Sequence, residues 1–263
     1  MDLGIKGRAA LVAGASKGLG LAVARGLAAE GCDLALCARS QDKLQEVGAD
    51  IAAEFKVGVM VKPVDLGQGD AAQAFAVEAA EEYGRIDILV NNAGGPPPGG
   101  FEDLGQEVWE RAVDLTLFSA LAITRAVLPG MRTQGWGRVI NMTSVSVKQP
   151  LPGLILSNSV RAAVVGWAKT LADEVAGAGV TVNNVLPGWM LTGRVEQLLA
   201  ARAEANGISR EQALEHIVAG IPLGRMGDPQ EFADLVCFLA SERAAYITGV
   251  SYLIDGGLHR GLA

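Results

Sequence analysis

Ala9-Ala10-Leu11-Val12-Ala13-Gly14-Ala15-Ser16-Lys17-Gly18-Leu19-Gly20-Leu21-Ala22-Val23 is the stretch that decides the fold. Five apolar residues in succession, Ala9–Ala13, have the pattern of a strand buried on both faces, as in a parallel sheet. Three glycines follow with the spacing G-x-x-x-G-x-G, and a helical pattern then runs over Leu19–Glu30. Glycine gives a tight turn its backbone freedom and lets a ligand approach main-chain N–H groups closely. The helix behind it adds the positive end of its dipole. A glycine turn alone is a weak signal, but with a strand before it and a helix after it this one predicts a dinucleotide-binding turn. Gly14, Ser16, Lys17, Gly18, Leu19 and Gly20 are its candidate cofactor contacts.

Outward from this turn the same alternation repeats. Further strands are expected at Asp33–Ala38, Val57–Val64, Ile86–Val90, Arg138–Met142, Val180–Leu186 and Ser251–Ile254. Helical patterns cover Gln41–Phe55, Ala71–Tyr83, Gln106–Gln134, Leu154–Gly177, Arg194–Gly220 and Pro229–Ala240. The last opens on Asp228-Pro229-Gln230-Glu231, which has an Asp cap, Pro in first position and Glu in third. The prediction is an α/β protein: a single Rossmann-type, doubly wound parallel sheet of about seven strands with helices on both faces. No composition shift or repeat divides residues 1–263, so they are read as one domain, with an insertion at about 189–227 that would shape a substrate pocket. Ligands of such sheets sit beyond the carboxyl ends of the strands. The Pro/Gly-rich run Gly94–Gly100 falls there and reads as a loop over the cleft.

The second strand ends at Arg39, nineteen residues past Gly20, in Cys37-Ala38-Arg39-Ser40. A site for NAD(H) usually places an acid near this point to accept from the ribose 2′-hydroxyl. Arg39 would pair instead with a 2′-phosphate, and Lys17 in the turn supplies a second cation. Solvated surface charges would look the same in a sequence. The reading adopted is NADP(H) in preference to NAD(H).

Composition narrows the class. The formal net charge is -7 and no block of like charge stands out, so nucleic acid is not an expected partner. The three cysteines, Cys32, Cys37 and Cys237, form no CxxC pair and are expected to be buried and inert in a reducing compartment. Only two histidines occur, His216 and His259, and no metal site is expected. The N-terminal MDLGIKGRAALV has no signal-peptide core, and no unbroken run of about 18 apolar residues suggests a membrane span. The expected location is the cytoplasm.

Taken together, the motifs resemble the short-chain dehydrogenase/reductase family. The glycine turn matches its first motif, Asn91-Asn92-Ala93-Gly94 its second, and Pro187-Gly188 with Thr192 its third. Asp65-Leu66 looks like the adenine contact. Pro222-Leu223-Gly224-Arg225, Ile247-Thr248-Gly249 and Asp255-Gly256-Gly257 resemble the end of 3-oxoacyl-carrier-protein reductases. The resemblance covers essentially the whole chain. It implies cofactor contacts at Asp65, Leu66, Asn92, Ala93, Gly94, Thr143, Pro187, Gly188, Met190 and Thr192. It also implies a homo-oligomer, dimer or tetramer, joined through the helices of Gln106–Gln134 and Leu154–Gly177.

The catalytic motif departs from the family. There, a Ser follows the fifth strand, a Tyr and a Lys four residues apart lie on the next helix, and an Asn lies on the helix before. Ser144 is in place, but the Tyr position is Ser157, the Lys position Arg161 and the Asn position Thr116. Carbonyl reduction leaves a developing alkoxide that needs hydrogen-bond donors and then a proton. A serine hydroxyl is far less acidic than a phenol, and an arginine stabilises an anion without readily giving up its proton. Ser157 and Arg161, spaced i and i+4, share one helix face. Ser144, Ser157 and Arg161 are therefore the candidate catalytic set. Lys148 and His216 are secondary candidates for a proton donor.

Two functions compete. One is an NADP(H)-dependent reductase of a ketone, or dehydrogenase of a secondary alcohol, with 3-oxoacyl thioesters in its substrate class. The other is a catalytically impaired NADP(H)-binding sensor or interaction subunit.

Overall fold

In a computed structural model of the chain, residues 1–262 are described. Seven strands form one sheet: β1 Ala9–Ala13, β2 Asp33–Ala38, β3 Val59–Pro63, β4 Ile88–Asn91, β5 Gly137–Met142, β6 Val180–Pro187 and β7 Ser251–Ile254. Every pairing is parallel and the spatial order is β3-β2-β1-β4-β5-β6-β7. The order reverses between β1 and β4, so a crevice opens where the connections leave these neighbours for opposite sides.

Nine helices cover the sheet among the described residues: α1 Gly18–Ala29, α2 Gln41–Phe55, α3 Gly69–Tyr83, α4 Gln106–Val113, α5 Ser119–Gln134, α6 Ile155–Val175, α7 Gly193–Asn206, α8 Arg210–Ala219 and α9 Pro229–Leu239. Parallel strands bury both faces, so the core has two halves. Val12, Leu34 and Leu36 meet Val23, Leu27, Leu44 and Phe232 from α1, α2 and α9 on one side. Leu11, Leu89 and Val139 meet Phe75, Ile123, Val127 and Leu171 from α3, α5 and α6 on the other.

Several boundaries differ from the sequence expectation. β4 begins two residues late because Asp87, fully buried, is engaged elsewhere: its carboxylate accepts from Ala9 N–H and pairs with Arg8 and Arg85. β3 starts after Gly58, whose N–H donates to Asp33 Oδ1. The expected single helical pattern at Arg194–Gly220 is two helices. Gly207, at φ +61, ends α7, and Ser209 with Gln212 forms a reciprocal capping box that starts α8.

The run Gln106–Gln134 is broken by a π turn at Asp114–Phe118. By length and composition this run could cross a membrane, but Ile123, Val127 and Met131 are buried in the core beneath the sheet. Across the ends of the central strands runs a ladder of buried amides. Asn91 Nδ2 donates to Asn141 Oδ1 at 2.9 Å, Asn141 Nδ2 to Asn184 Oδ1 at 3.1 Å, and Asn184 Nδ2 to Ser251 Oγ at 3.1 Å. These residues are register partners in adjacent strands. The ladder ties β4, β5, β6 and β7 together directly under the ligand end of the sheet.

Candidate active site

The glycine turn is shaped by close contacts. Gly14 has φ +62, and a Cβ there would lie 2.7 Å from Asn92 Nδ2. A Cβ on Gly20 would collide with the Gly14 carbonyl. Asn92 Nδ2 donates to the carbonyls of Ala13 and Gly14, at 3.1 and 3.2 Å, so the end of β4 holds the turn in place. Unlike α8 and α9, which have capping boxes, α1 has no side-chain cap and no acid in its first turn. Its first N–H groups are left for an anion in the cleft.

That cleft holds about 1420 Å³, more than the few hundred that suit a small ligand alone. It runs from the glycine turn across the sheet ends to α6 and α7. All the expected cofactor residues line it: Gly14, Ser16, Lys17, Gly18, Leu19, Gly20, Arg39, Asp65, Leu66, Asn92, Ala93, Gly94, Thr143, Pro187, Gly188, Met190 and Thr192. Ser144, Ser157 and Arg161 line it too. Arg39 and Lys17 are exposed at one end, with Lys43 beside them.

At the other end, Ser144 begins a short 3-10 turn after β5, and its Oγ accepts from Ser146 N–H at 3.1 Å. Asn158 bridges the main chain of Leu151 by two hydrogen bonds, which fixes the entry to α6 where Ser157 is half-buried. Arg161, one turn on, donates through Nη1 to the carbonyls of Met142 and Thr143, at 3.0 and 2.9 Å. No carboxylate pairs with it among the described residues. Burial first, and the neighbouring Arg194 second, hold its pKa below the ordinary guanidinium value, at about 10. It is still a cation at neutral pH.

No tyrosine lines the cleft. Tyr83 lies elsewhere, its hydroxyl donating to Leu34 O and accepting from Met60 N–H, while Tyr246 is fully exposed. Lys148 is exposed outside the cleft, and His216 sits on α8, away from it. Neither secondary proton-donor candidate is brought to the site. Thr116 falls in the π turn and faces a separate void of about 20 Å³, beside Asn91, Thr143 and Arg161. Thr116 Oγ1, Thr143 Oγ1 and Asn91 Oδ1 are buried without a partner among the described residues. A void of that size and polarity fits one water.

Residues missed in the sequence are Arg194, Arg111 and the loop carbonyl of Pro96. Arg194 Nη2 donates to Pro96 O at 3.0 Å and so fastens α7 to the loop after β4. All three cysteines are buried, as expected, and their thiols are pushed up to about 12, by burial above all.

A family model described as enoyl-(acyl carrier protein) reductase matches residues 14–259. A protein of Streptomyces virginiae assigned as the ketoacyl reductase of a monensin polyketide synthase is 41% identical over 258 residues, covering 95% of this chain and 97% of its own length. The chain belongs to the short-chain dehydrogenase/reductase family. A D-beta-hydroxybutyrate dehydrogenase of Rhizobium meliloti is 33% identical over 252 residues, covering 95% of this chain and 98% of its own. L-sorbose reductase from Gluconobacter frateurii, solved with NADPH and L-sorbose, superposes with a TM-score of 0.94 at 34% identity, covering 100% of both chains. The fold and oxidoreductase family expected from the motifs therefore stand.

Proposed function

We propose that this chain is an NADP(H)-dependent oxidoreductase that reduces a ketone, of the class that includes 3-oxoacyl thioesters, with Ser144, Ser157 and Arg161 in place of the family's usual set. One observation carries the reading: the residues that separate motifs assign to a dinucleotide and to a reacting carbonyl all line one cleft. The cradle fits the cofactor because Gly14 and Gly20 leave no room for a Cβ and α1 is uncapped. Main-chain groups of Gly14–Gly20 would hold the pyrophosphate. Arg39 and Lys17 would hold the 2′-phosphate, and Asp65 with Leu66 the adenine. Asn92 to Gly94, Thr143, Pro187, Gly188, Met190 and Thr192 would hold the nicotinamide half. When bound, the cofactor supplies the hydride.

The chain's own residues deal with the charge that results. The hydroxyls of Ser144 and Ser157 donate to the carbonyl oxygen as it becomes an alkoxide, and the fixed cation of Arg161 stabilises it. The alkoxide then takes its proton from water in the open cleft. Relatives named as ketoacyl reductases and the NADPH-bound sorbose reductase support the cofactor and carbonyl chemistry.

The test is NADPH binding by fluorescence titration, followed by NADPH oxidation with a panel of ketones and 3-oxoacyl thioesters. Turnover that Ser144→Ala removes supports the reading, and absence of NADPH binding refutes it. A second reading, a sensor or interaction subunit, is favoured by Ser157, Arg161 and Thr116 at the Tyr, Lys and Asn positions. It predicts tight NADPH binding with no turnover on any panel member. In either case a dimer or tetramer through α4, α5 and α6 is proposed, with Phe118 half-exposed on that surface.

A further inference from the structure

The cleft's charge is opposite to that of the chain. Six cations line it, Lys17, Arg39, Lys43, Arg111, Arg161 and Arg194, against one carboxylate, Asp65, in a protein of formal net charge -7. They fall into two groups by element. Lys17, Arg39 and Lys43 lie on the turn before α1 and at the start of α2, where a 2′-phosphate would sit, and Lys43 is already paired with Glu46. Arg111, Arg161 and Arg194 come from α4, α6 and α7 and surround the carbonyl end.

The second group has no carboxylate partner among the described residues. Arg161 uses only Nη1, on two carbonyls, and Arg194 only Nη2, on Pro96 O. The remaining guanidinium N–H groups make no hydrogen bond among the described residues. Burial disfavours the charge on both part-buried arginines, and Arg194 disfavours that on Arg161 further. Three exposed arginines, Arg25, Arg210 and Arg225, are each offset by a glutamate. A cationic pair kept in a cleft without an acid is the arrangement that receives an anion from outside.

We infer that the substrate carries a carboxylate, and that Arg194, with Arg161 behind it and Arg111 at the rim, receives that group beside the reacting carbonyl. The inference rests on the proposed reductase reading and narrows its substrate from ketones in general, thioesters included, to oxo acids. Arg194 sits two residues beyond Thr192, in the first turn of α7, and spans to the loop of Gly95 and Pro96. A carboxylate seated there would bind one end of α7 and the post-β4 loop at once. Closure over the substrate would thus be coupled to its charge.

The experiment uses matched pairs: a 2-oxo acid, a 3-oxo acid and the methyl ester of each, with NADPH. In the unmodified protein the acid of at least one pair should have kcat/KM ten-fold or more above its ester. Arg194→Met should raise KM for that acid ten-fold or more, and leave KM for the ester and Kd for NADPH within two-fold. Arg194→Lys should recover part of the loss. Esters as good as acids throughout would overturn the inference. So would an Arg194→Met protein that weakens NADPH and both substrates alike, because Arg194 would then serve the pyrophosphate. If NADPH binds but nothing is turned over, the reductase reading fails separately. The subsite is then tested by titrating the NADPH-loaded protein with each acid and ester by calorimetry. Binding of an acid, not its ester, that Arg194→Met removes supports it, and no acid binding at millimolar concentration overturns it. Circular dichroism of each variant establishes folding, and should Arg194→Met not fold, Arg194→Gln is read in its place.

Discussion

Replacing Arg161 by methionine separates a catalytic cation from a structural one. Its burial and the nearby Arg194 bring its pKa from the ordinary guanidinium value to about 10. At about 1.4 kcal/mol per tenfold change, that is roughly 3 kcal/mol of disfavoured charge, and about 2 kcal/mol once solvent in the cleft screens it. Against this stand the hydrogen bonds to Met142 O and Thr143 O, at 3.0 and 2.9 Å. Water in the open cleft can replace the donor, so their loss is the net value of about 0.5–1.5 kcal/mol each. The two effects nearly cancel. Arg161→Met should therefore unfold within about 1 kcal/mol of the parent, a Tm change of about 2–4 °C, compared at one protein concentration. The rate of NADPH oxidation should fall by about 10²–10³, the loss of one preorganised charge at an oxyanion. A destabilisation of about 3 kcal/mol or more would make Arg161 a strut, and an unchanged rate would remove it from the mechanism; either refutes the reasoning. The pH profile gives the sign independently. The lowered pKa means the cation is present below pH 10 and lost above it, so the parent's rate should hold to about pH 9 and then fall.

Other outcomes follow from the same geometry. Ser157→Tyr combined with Arg161→Lys should lower the parent's activity, measured by NADPH oxidation on its best substrate; activity appearing only in the double variant would mean a lost function. Arg39→Ala should weaken NADPH about ten-fold and leave NADH affinity unchanged, by fluorescence titration, and equal loss for both would place no 2′-phosphate at Arg39. Gly20→Ala pushes a Cβ into the Gly14 carbonyl, and should abolish cofactor binding while the far-ultraviolet spectrum stays near that of the parent. With thiols pushed up to about 12 and buried, the native protein at pH 8 should resist alkylation, and the denatured chain should take up three labels by mass.

Much of the fold was legible because parallel strands advertise themselves as unbroken apolar runs. β1, β2 and β7 have the expected limits to the residue. The errors came where a polar side chain replaced the ladder. Asp87 and Asp33 each take main-chain N–H groups next to a strand start, and no apolar pattern reports that. The break between α7 and α8 had a signal, Asn206-Gly207 followed by Ser209-x-x-Gln212, which the longer helical period hid. The amide ladder could not be read in advance, because Asn91, Asn141 and Asn184 become neighbours only through strand register. Arg194 was invisible for a similar reason. Its role depends on where α7 lies over the cleft, and that is set by the packing of Val195 and Leu199 with Ile217 and Met226 rather than by any local motif.

The departure at Ser157 and Arg161 then acquires a physical meaning. A phenol serves an alkoxide by giving up a proton, and its acidity must be tuned by a neighbouring cation. A fixed guanidinium serves the same oxygen by charge alone and keeps its proton. That solution works only if the cation is near, incompletely neutralised and partly dry, and all three conditions hold for Arg161: two carbonyls position it, no carboxylate pairs with it among the described residues, and α6 buries it. These conditions disfavour the folded chain, which is why the charge is informative. A buried guanidinium without an acid is not by itself functional, since Arg138 rests on three carbonyls and the Trp136 ring outside the cleft. One held at a cost beside Ser144 and Ser157, facing a second unpaired arginine, is better explained by the anion that forms there and the anion that arrives with the substrate.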